Sequence, residues 1–276
     1  METNIPTFVK WAGGKRQLLE QFKKFFPKEA ERYFEPFVGG GAVALYIIQK
    51  NNLKEVYLSD VNEELINCYN IIKNNVEELI LKLKQHKENH NKEYYYAIRE
   101  LNPSILSDVE RASRFIYLNK TCFNGLYRVN SKGKFNVPMG NYKNPSITKD
   151  NDLRCLSKLL KNVKILLMPF DKVLDYARRR DFIYFDPPYF PLKKGKSFTT
   201  YTKDNFLEKE QIRLAEVFRE LDKRGCKVML SNSNTKFIKN LYKDYNIHTV
   251  KANRMINCDA TKRGPISEVV VTNYAS

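Results

Sequence analysis

The stretch Tyr33-Phe34-Glu35-Pro36-Phe37-Val38-Gly39-Gly40-Gly41-Ala42-Val43-Ala44-Leu45 decides the fold. A short apolar strand runs into three glycines and then into an apolar helix, Ala42 to Gln49, which is the opening of a nucleotide-binding βαβ unit. Gly39, Gly41 and Ala44 satisfy G-x-G-x-x-A, where the glycines let the backbone close on a cofactor. The next strand, Glu55 to Ser59, ends at Asp60, 19 residues past Gly41. A carboxylate there can accept hydrogen bonds from both hydroxyls of a ribose. NAD enzymes and S-adenosylmethionine (SAM) enzymes share this arrangement, so it calls for a nucleoside-bearing cofactor without saying which.

Outward from that unit, apolar spacing predicts a helix over 16–26, closed by Pro27, and another over Glu63–Asn74. Further strands are expected at Val163–Leu167, Asp181–Phe185, Lys227–Ser231 and Glu268–Thr272. Their unbroken apolar character suits a mostly parallel sheet covered on both faces. Between about 75 and 160 the character changes, with charged helical stretches at Glu77–Lys92 and Asp108–Leu118 and then polar Asn119–Pro145. This region reads as an insertion.

The composition, 42% hydrophobic with 17 Tyr and 17 Phe, is that of a packed globular protein. Lys and Arg outnumber Asp and Glu by 48 to 31, a formal charge of +17. A polyanionic partner is the natural reading, although a basic protein from a Lys- and Asn-rich proteome would carry the same charge. No run of roughly 18 apolar residues could span a bilayer. The start, Met-Glu-Thr-Asn-Ile-Pro, lacks the apolar core of a secretory signal, so a soluble, cytoplasmic protein with no membrane partner is expected. The five cysteines (Cys68, Cys122, Cys155, Cys226 and Cys258) form no C-x-x-C pair, which indicates neither a disulfide framework nor zinc. His86 and His90 stand four apart among Lys and Asn, and read as a solvated helix face rather than a metal site.

Chemistry concentrates at Asp186-Pro187-Pro188-Tyr189, directly after the strand that ends at Phe185. That is the carboxyl edge of the sheet, where α/β ligands bind. Two prolines cannot extend the sheet, so they stiffen a loop that aims an aspartate, a carbonyl and an aromatic ring into one cleft. Methylation of an aromatic amine needs this trio, because the amine lone pair is delocalised into the ring. Asp186 and the Pro187 carbonyl can hold its two N–H groups and free the lone pair, while Tyr189 stacks on a flipped base.

Near the start, Trp11-Ala12-Gly13-Gly14-Lys15 fails as a P-loop, since Val9 and Arg16 stand where Walker A needs Gly and Ser or Thr. Lys15 instead suits a cofactor carboxylate, with Trp11 packing on its adenine. Phe123 to Pro138 mixes Arg, Lys, Asn, aromatics and turn glycines, which fits a loop or β-hairpin that reads DNA, or a plain solvated loop.

Together these segments closely resemble the Dam-type DNA N6-adenine methyltransferases of the α class, also called D12, and among them the DpnM-like modification methylases specific for GATC. The likeness covers nearly the whole chain and rests on Phe8–Lys15, Tyr33–Gly41, Asn124–Pro145, Asp186–Tyr189 and Leu230–Ser233. Chain order agrees, with cofactor motif first, recognition region second and catalytic tetrapeptide third. The resemblance implies an α/β fold, a Rossmann-like SAM-dependent methyltransferase sheet. Residues 1–65 and 166–276 would form its catalytic domain, and 66–165 an inserted helical and β-hairpin recognition domain. It implies Asp186, Pro187 and Tyr189 as catalytic residues. The cofactor set would be Trp11, Lys15, Phe37, Gly39, Gly41, Asp60, Phe170 and Asp186, around SAM. For double-stranded DNA it implies Lys10 and Arg128 on guanines, Phe123 as a wedge, Asn124 on the backbone and Pro138 on a thymine methyl.

No metal is called for, the protein would act as a monomer in a bacterial or phage setting, and a restriction endonuclease would share its site. One departure stands out: relatives carry an acid before Phe170, and here Pro169 occupies that place, leaving the role vacant or moved to Asp171. Rival readings are an amino-methylase acting at GATATC, on cytosine N4 or on RNA, a DNA-binding relative without catalysis, and an NAD oxidoreductase. Asp186, where cytosine N4 enzymes often carry Ser, favours adenine, and nothing in the chain supplies a hydride-transfer acid.

Overall fold

Alternation along the strands divides the apolar side chains between two cores. The computed structural model describes residues 5–130, 133–192, 206–253 and 265–275; Ser131 and Lys132 of the recognition segment and Cys258 lie outside the described residues. In β1 (Arg32–Glu35) Tyr33 enters one core and Phe34 the other, and in β2 (Glu55–Asp60) Val56 and Leu58 part from Tyr57 in the same way. The division continues in β4 (Phe182–Phe185), β5 (Lys227–Ser233) and β7 (Pro265–Thr272). Strands buried on both faces have no polar face, which is why they read as continuous apolar runs.

With β3 (Val163–Leu167) and β6 (Asn246–Asn253), the strands form one seven-stranded sheet in the order β3-β2-β1-β4-β5-β7-β6. It is parallel from β3 to β5, and β7 runs antiparallel to both its neighbours. Strand order reverses between β1 and β4, so their carboxyl ends flank the switch point at which sheets of this kind bind ligands. The glycine turn leaves β1 there, and Asp186 follows β4.

On the first core gather α1 (Leu19–Phe22), α2 (Ala42–Lys50), α3 (Glu63–Asn74), α4 (Val76–Glu88), α5 (Lys92–Glu100), α6 (Asp108–Thr121) and α7 (Asp150–Leu160). On the opposite face lie α8 (Glu208–Lys223) and α9 (Lys236–Leu241). A capping box sets the start of α6: the Ser107 hydroxyl accepts from Glu110 N, and the Glu110 carboxylate accepts from Ser107 N at 3.0 Å.

Several expectations are corrected. The helix over 16–26 is broken into a 3-10 turn at Lys15–Leu18, α1 (Leu19–Phe22) and a second 3-10 turn at Lys23–Phe25. Leu19, Phe22 and Phe25 recur every third residue, a spacing the tighter helix aligns on one face. The stretch Glu77–Lys92 is interrupted after Glu88, where the Asn91 side chain caps α5 by accepting from Tyr94 N at 2.8 Å. His86 and His90 do not lie on a solvated face. His86 is buried, stacked on Tyr117 and bonded to the Tyr94 hydroxyl at 2.8 Å, and His90 meets the Tyr117 hydroxyl at 2.8 Å. Burial lowers the His86 pKa to about 4, so it serves as a neutral packing group. β3 is an edge strand with Leu167 half exposed, rather than covered on both faces, and β6 was not anticipated. α3 packs on β2 and β3.

Before β4, Asp181 is fully buried and takes a two-pronged bond from Arg32 in β1, Nε to Oδ1 at 2.9 Å and a terminal nitrogen to Oδ2 at 2.6 Å. Removing one member of a buried pair leaves the other uncompensated, so Arg32→Met is expected to cost about 3–5 kcal/mol of stability in denaturant unfolding. A loss near zero would mean Asp181 finds its compensation elsewhere.

Candidate active site

The chain must turn sharply after β1, and glycine permits it: Gly39 and Gly41 have φ of +47° and +70°. The turn is also packed too closely for side chains. A Cβ on Gly39 would meet the Trp11 indole at 2.7 Å, and one on Gly41 would meet the Tyr69 hydroxyl at 2.5 Å. Asp60, at the end of β2, accepts from Gly39 N at 3.1 Å and from Asn62 N at 3.0 Å. Burial raises its pKa to about 6 against the pull of those amides. Beside the turn, Phe37 stacks on Phe170 with centroids 5.4 Å apart, and Phe206 closes edge-on to both.

Across the switch point, Asp186 Oδ1 is held by Lys15 Nζ at 2.9 Å and by the Ser231 hydroxyl at 2.9 Å; Ser231 also meets Tyr184 OH at 2.8 Å. Burial raises the Asp186 pKa, and Lys15 and Ser231 oppose the rise. Lys15 is itself buried and lies 4.7 Å from the centroid of the Tyr189 ring, whose hydroxyl donates to Glu268 at 2.7 Å. Two more bonds fix the loop: Gln211 donates to the Pro188 carbonyl at 2.9 Å, and Phe190 N donates to Asn232 at 3.1 Å.

One segment, Lys10 to Lys15, spans both loops and the recognition region. Asn119, buried in α6, accepts from Lys10 N at 2.7 Å and donates to Lys10 O at 2.8 Å and Gly125 O at 3.1 Å. Trp11 lies stacked with Tyr127 at 6.1 Å. The recognition segment is a sparse hairpin with antiparallel bridges at Cys122–Met139 and Val129–Phe135. Phe123, Arg128 and Pro138 are exposed along it; Phe123 N donates to Pro138 O at 2.9 Å, and Arg128 donates to the Asn136 side chain at 2.7 Å. Asn124 takes a left-handed φ of +54°, and a Cβ on Gly125 would strike the Lys10 side chain. The residues expected to face DNA therefore form one connected surface. Among the described residues no group of three or more His, Cys, Asp or Glu is arranged to hold a metal, and no helix is long and apolar enough to cross a membrane.

Residues 11–256 match the family model of the D12 class N6 adenine-specific DNA methyltransferases. The chain belongs to that family. It is 50% identical to the type II methyltransferase M.MjaIII of Methanocaldococcus jannaschii, covering 98% of this chain and 99% of that one. It is 43% identical to the type II methyltransferase M1.LlaDCHI of Lactococcus lactis subsp. cremoris, over 99% and 97% of the two chains. It is 36% identical to a DNA adenine methylase of Haemophilus influenzae, over 95% and 92%.

In this D12 methyltransferase Asp171 is bonded to Arg213, whose guanidinium lies 5.1 Å from the Phe170 ring, and Pro169 sits at the start of the turn Phe170–Asp175. Sequence reasoning gave no role to Glu35, Tyr69, Phe206, Gln211, Ser231 or Glu268. Glu35 is buried with its pKa driven well up, and accepts from Tyr33 OH at 2.5 Å. The available signal was a carboxylate inside an apolar strand, as in Phe34-Glu35-Pro36 and Glu268-Val269-Val270-Val271. Trp11 is the single tryptophan, so its emission reports on the turn. Gly39→Ala is expected to displace the indole and shift that emission with the fold retained by circular dichroism, whereas an unchanged spectrum would contradict the close contact.

Proposed function

We propose that this D12 enzyme methylates N6 of adenine in double-stranded GATC, with SAM as methyl donor and the target base flipped out of the duplex. The observation that carries the reading is the convergence at the switch point of Asp186, held by Lys15 and Ser231, with Tyr189, held by Glu268, beside the glycine turn. The residues present fit the donor: flat apolar rings at Phe37 and Phe170, an acceptor at Asp60, room made by Gly39 and Gly41, and the buried cation of Lys15 with Trp11 alongside.

SAM, when bound, would supply an electrophilic methyl group and leave as S-adenosylhomocysteine, the methylated nitrogen losing one proton to solvent. The chain's own part is to bind and orient the amine. Asp186 and the Pro187 carbonyl accept its two N–H groups, which draws the nitrogen toward a tetrahedral shape and exposes the lone pair. Ionised Asp186 also stabilises the positive charge that develops on nitrogen. Tyr189 stacks on the extruded base, a contact worth about 1–3 kcal/mol. No covalent enzyme intermediate is needed.

Recognition falls to the connected surface of Lys10, Phe123, Asn124, Arg128 and Pro138: guanine contacts by Lys10 and Arg128, a wedge at Phe123, the DNA backbone at Asn124 and a thymine methyl at Pro138. In this reading residues 1–65 and 166–276 are the catalytic domain and 66–165 the recognition domain. One chain carries every role, in the cytoplasm, beside an endonuclease that cuts the same site unless it is methylated.

Incubation with SAM and unmethylated plasmid, followed by sequencing that reports N6-methyladenine, is expected to show modification confined to GATC. Modification of another motif would overturn the specificity, and none at all would overturn the reaction. Arg128→Ala is expected to relax discrimination at one base pair by about 1–3 kcal/mol. Equal losses on cognate and scrambled DNA would make Arg128 a phosphate contact instead.

A further inference from the structure

We propose that Glu268 is a positioning residue of the target-base site: by holding the hydroxyl of Tyr189 it fixes the place of the ring on which the flipped adenine stacks. The proposal rests on the stacking role given to Tyr189 above. Its starting point is a residue out of character with its strand. Glu268 lies in β7 next to Val269, Val270 and Val271, all fully buried, and pairs with Ser233 of β5 and Val250 of β6. A carboxylate there bears a burial cost, visible in a pKa raised chiefly by desolvation. Such a group persists where its bonds have a use.

The bond it makes is to Tyr189 OH, at 2.7 Å. Lys15, which pairs with Asp186 at 2.9 Å, acts on Glu268 by charge alone, so the bond falls to the hydroxyl. The backbone of Tyr189 is already constrained on both sides, by the Gln211 bond to Pro188 O and by Phe190 N on Asn232. What those bonds leave free is the swing of the ring about its inner side-chain torsion, which carries the hydroxyl from one staggered well to another. A tether on the far oxygen stops that swing, while Lys15 lies over the ring at 4.7 Å from its centroid. A stacking surface held in one place needs less reordering when the base arrives.

The test is a double-mutant cycle of Glu268→Ala and Tyr189→Phe, with Glu268→Gln as the conservative variant, which keeps a carbonyl acceptor. Tyr189→Phe reads the same bond from its other end without touching the strand, and also removes the hydroxyl's pull on Asp186, which Glu268→Ala leaves in place. Should Glu268→Ala lose its melting transition, Glu268→Leu suits the valine-rich strand and replaces it. Single-turnover methylation at saturating DNA and SAM is expected to fall roughly tenfold in each single variant, no further in the double, and to recover largely in Glu268→Gln, with KM for SAM unchanged. Without cofactor, 2-aminopurine at the target position is expected to take the same altered emission in Glu268→Ala and Tyr189→Phe, and the wild-type value in Glu268→Gln. Multiplicative losses in the double variant, or a fully active Glu268→Ala, would overturn the tether. Tyr189→Ala separates the two layers: full activity in that variant would remove the stacking reading itself, whereas a dead Tyr189→Ala beside a fully active Glu268→Ala would remove the tether alone.

Discussion

The ion pair of Lys15 with Asp186 is the interaction on which the rest of the site depends. It ties a segment near the start of the chain to the end of a strand more than half the sequence away, at 2.9 Å and in buried surroundings. Burial on its own would push Asp186 toward its neutral form, and a neutral carboxyl is a poor acceptor. Lys15 and Ser231 pull in the opposite direction. The same lysine lies over the Tyr189 ring, so one ammonium acts on the charge of the aspartate and on one face of the aromatic ring.

The sheet makes this possible by bringing two loops to one place. Reversal of strand order between β1 and β4 puts the glycine turn and the Asp-Pro-Pro-Tyr loop side by side. Lys10 to Lys15 then crosses both: Asn119 holds its first residue against the recognition hairpin, Trp11 covers Gly39 and Gly40, and Lys15 reaches Asp186. Side chains expected to read DNA, hold cofactor and position the reacting amine thus share a single short piece of backbone. A displacement at either end is felt at the other, because the middle is packed too tightly to absorb it.

Much of this was legible in the sequence, for identifiable reasons. Glycine before an apolar helix, a carboxylate at the end of the following strand and two prolines after a buried strand are local signals, and each names its own place in the sheet. The strand run at 181–185 was readable because burial on both faces removes polar residues. The broken helix at 15–25 was not, since spacing by threes and by fours both put apolar residues on one side. β6 was missed because Asn246–Asn253 alternates polar residues at the sheet's edge. The partners Ser231, Gln211 and Glu268 depend on tertiary approach across 21 to 79 positions, and no spacing rule carries that information.

The central claim is that Lys15 keeps Asp186 ionised for its work on the amine. On the proposed reading Asp186 accepts hydrogen bonds from the amine as a carboxylate, so the rate of methyl transfer would rise as pH climbs through its pKa. Removing the ammonium that lowers this pKa must move the rise to higher pH. The direct measurement is the pH dependence of single-turnover methylation at saturating SAM and DNA, for the wild-type enzyme and Lys15→Met. The account predicts that the acid limb of the variant moves up by about one unit or more. A variant that is slower at every pH, with its acid limb where the wild type has it, would contradict it.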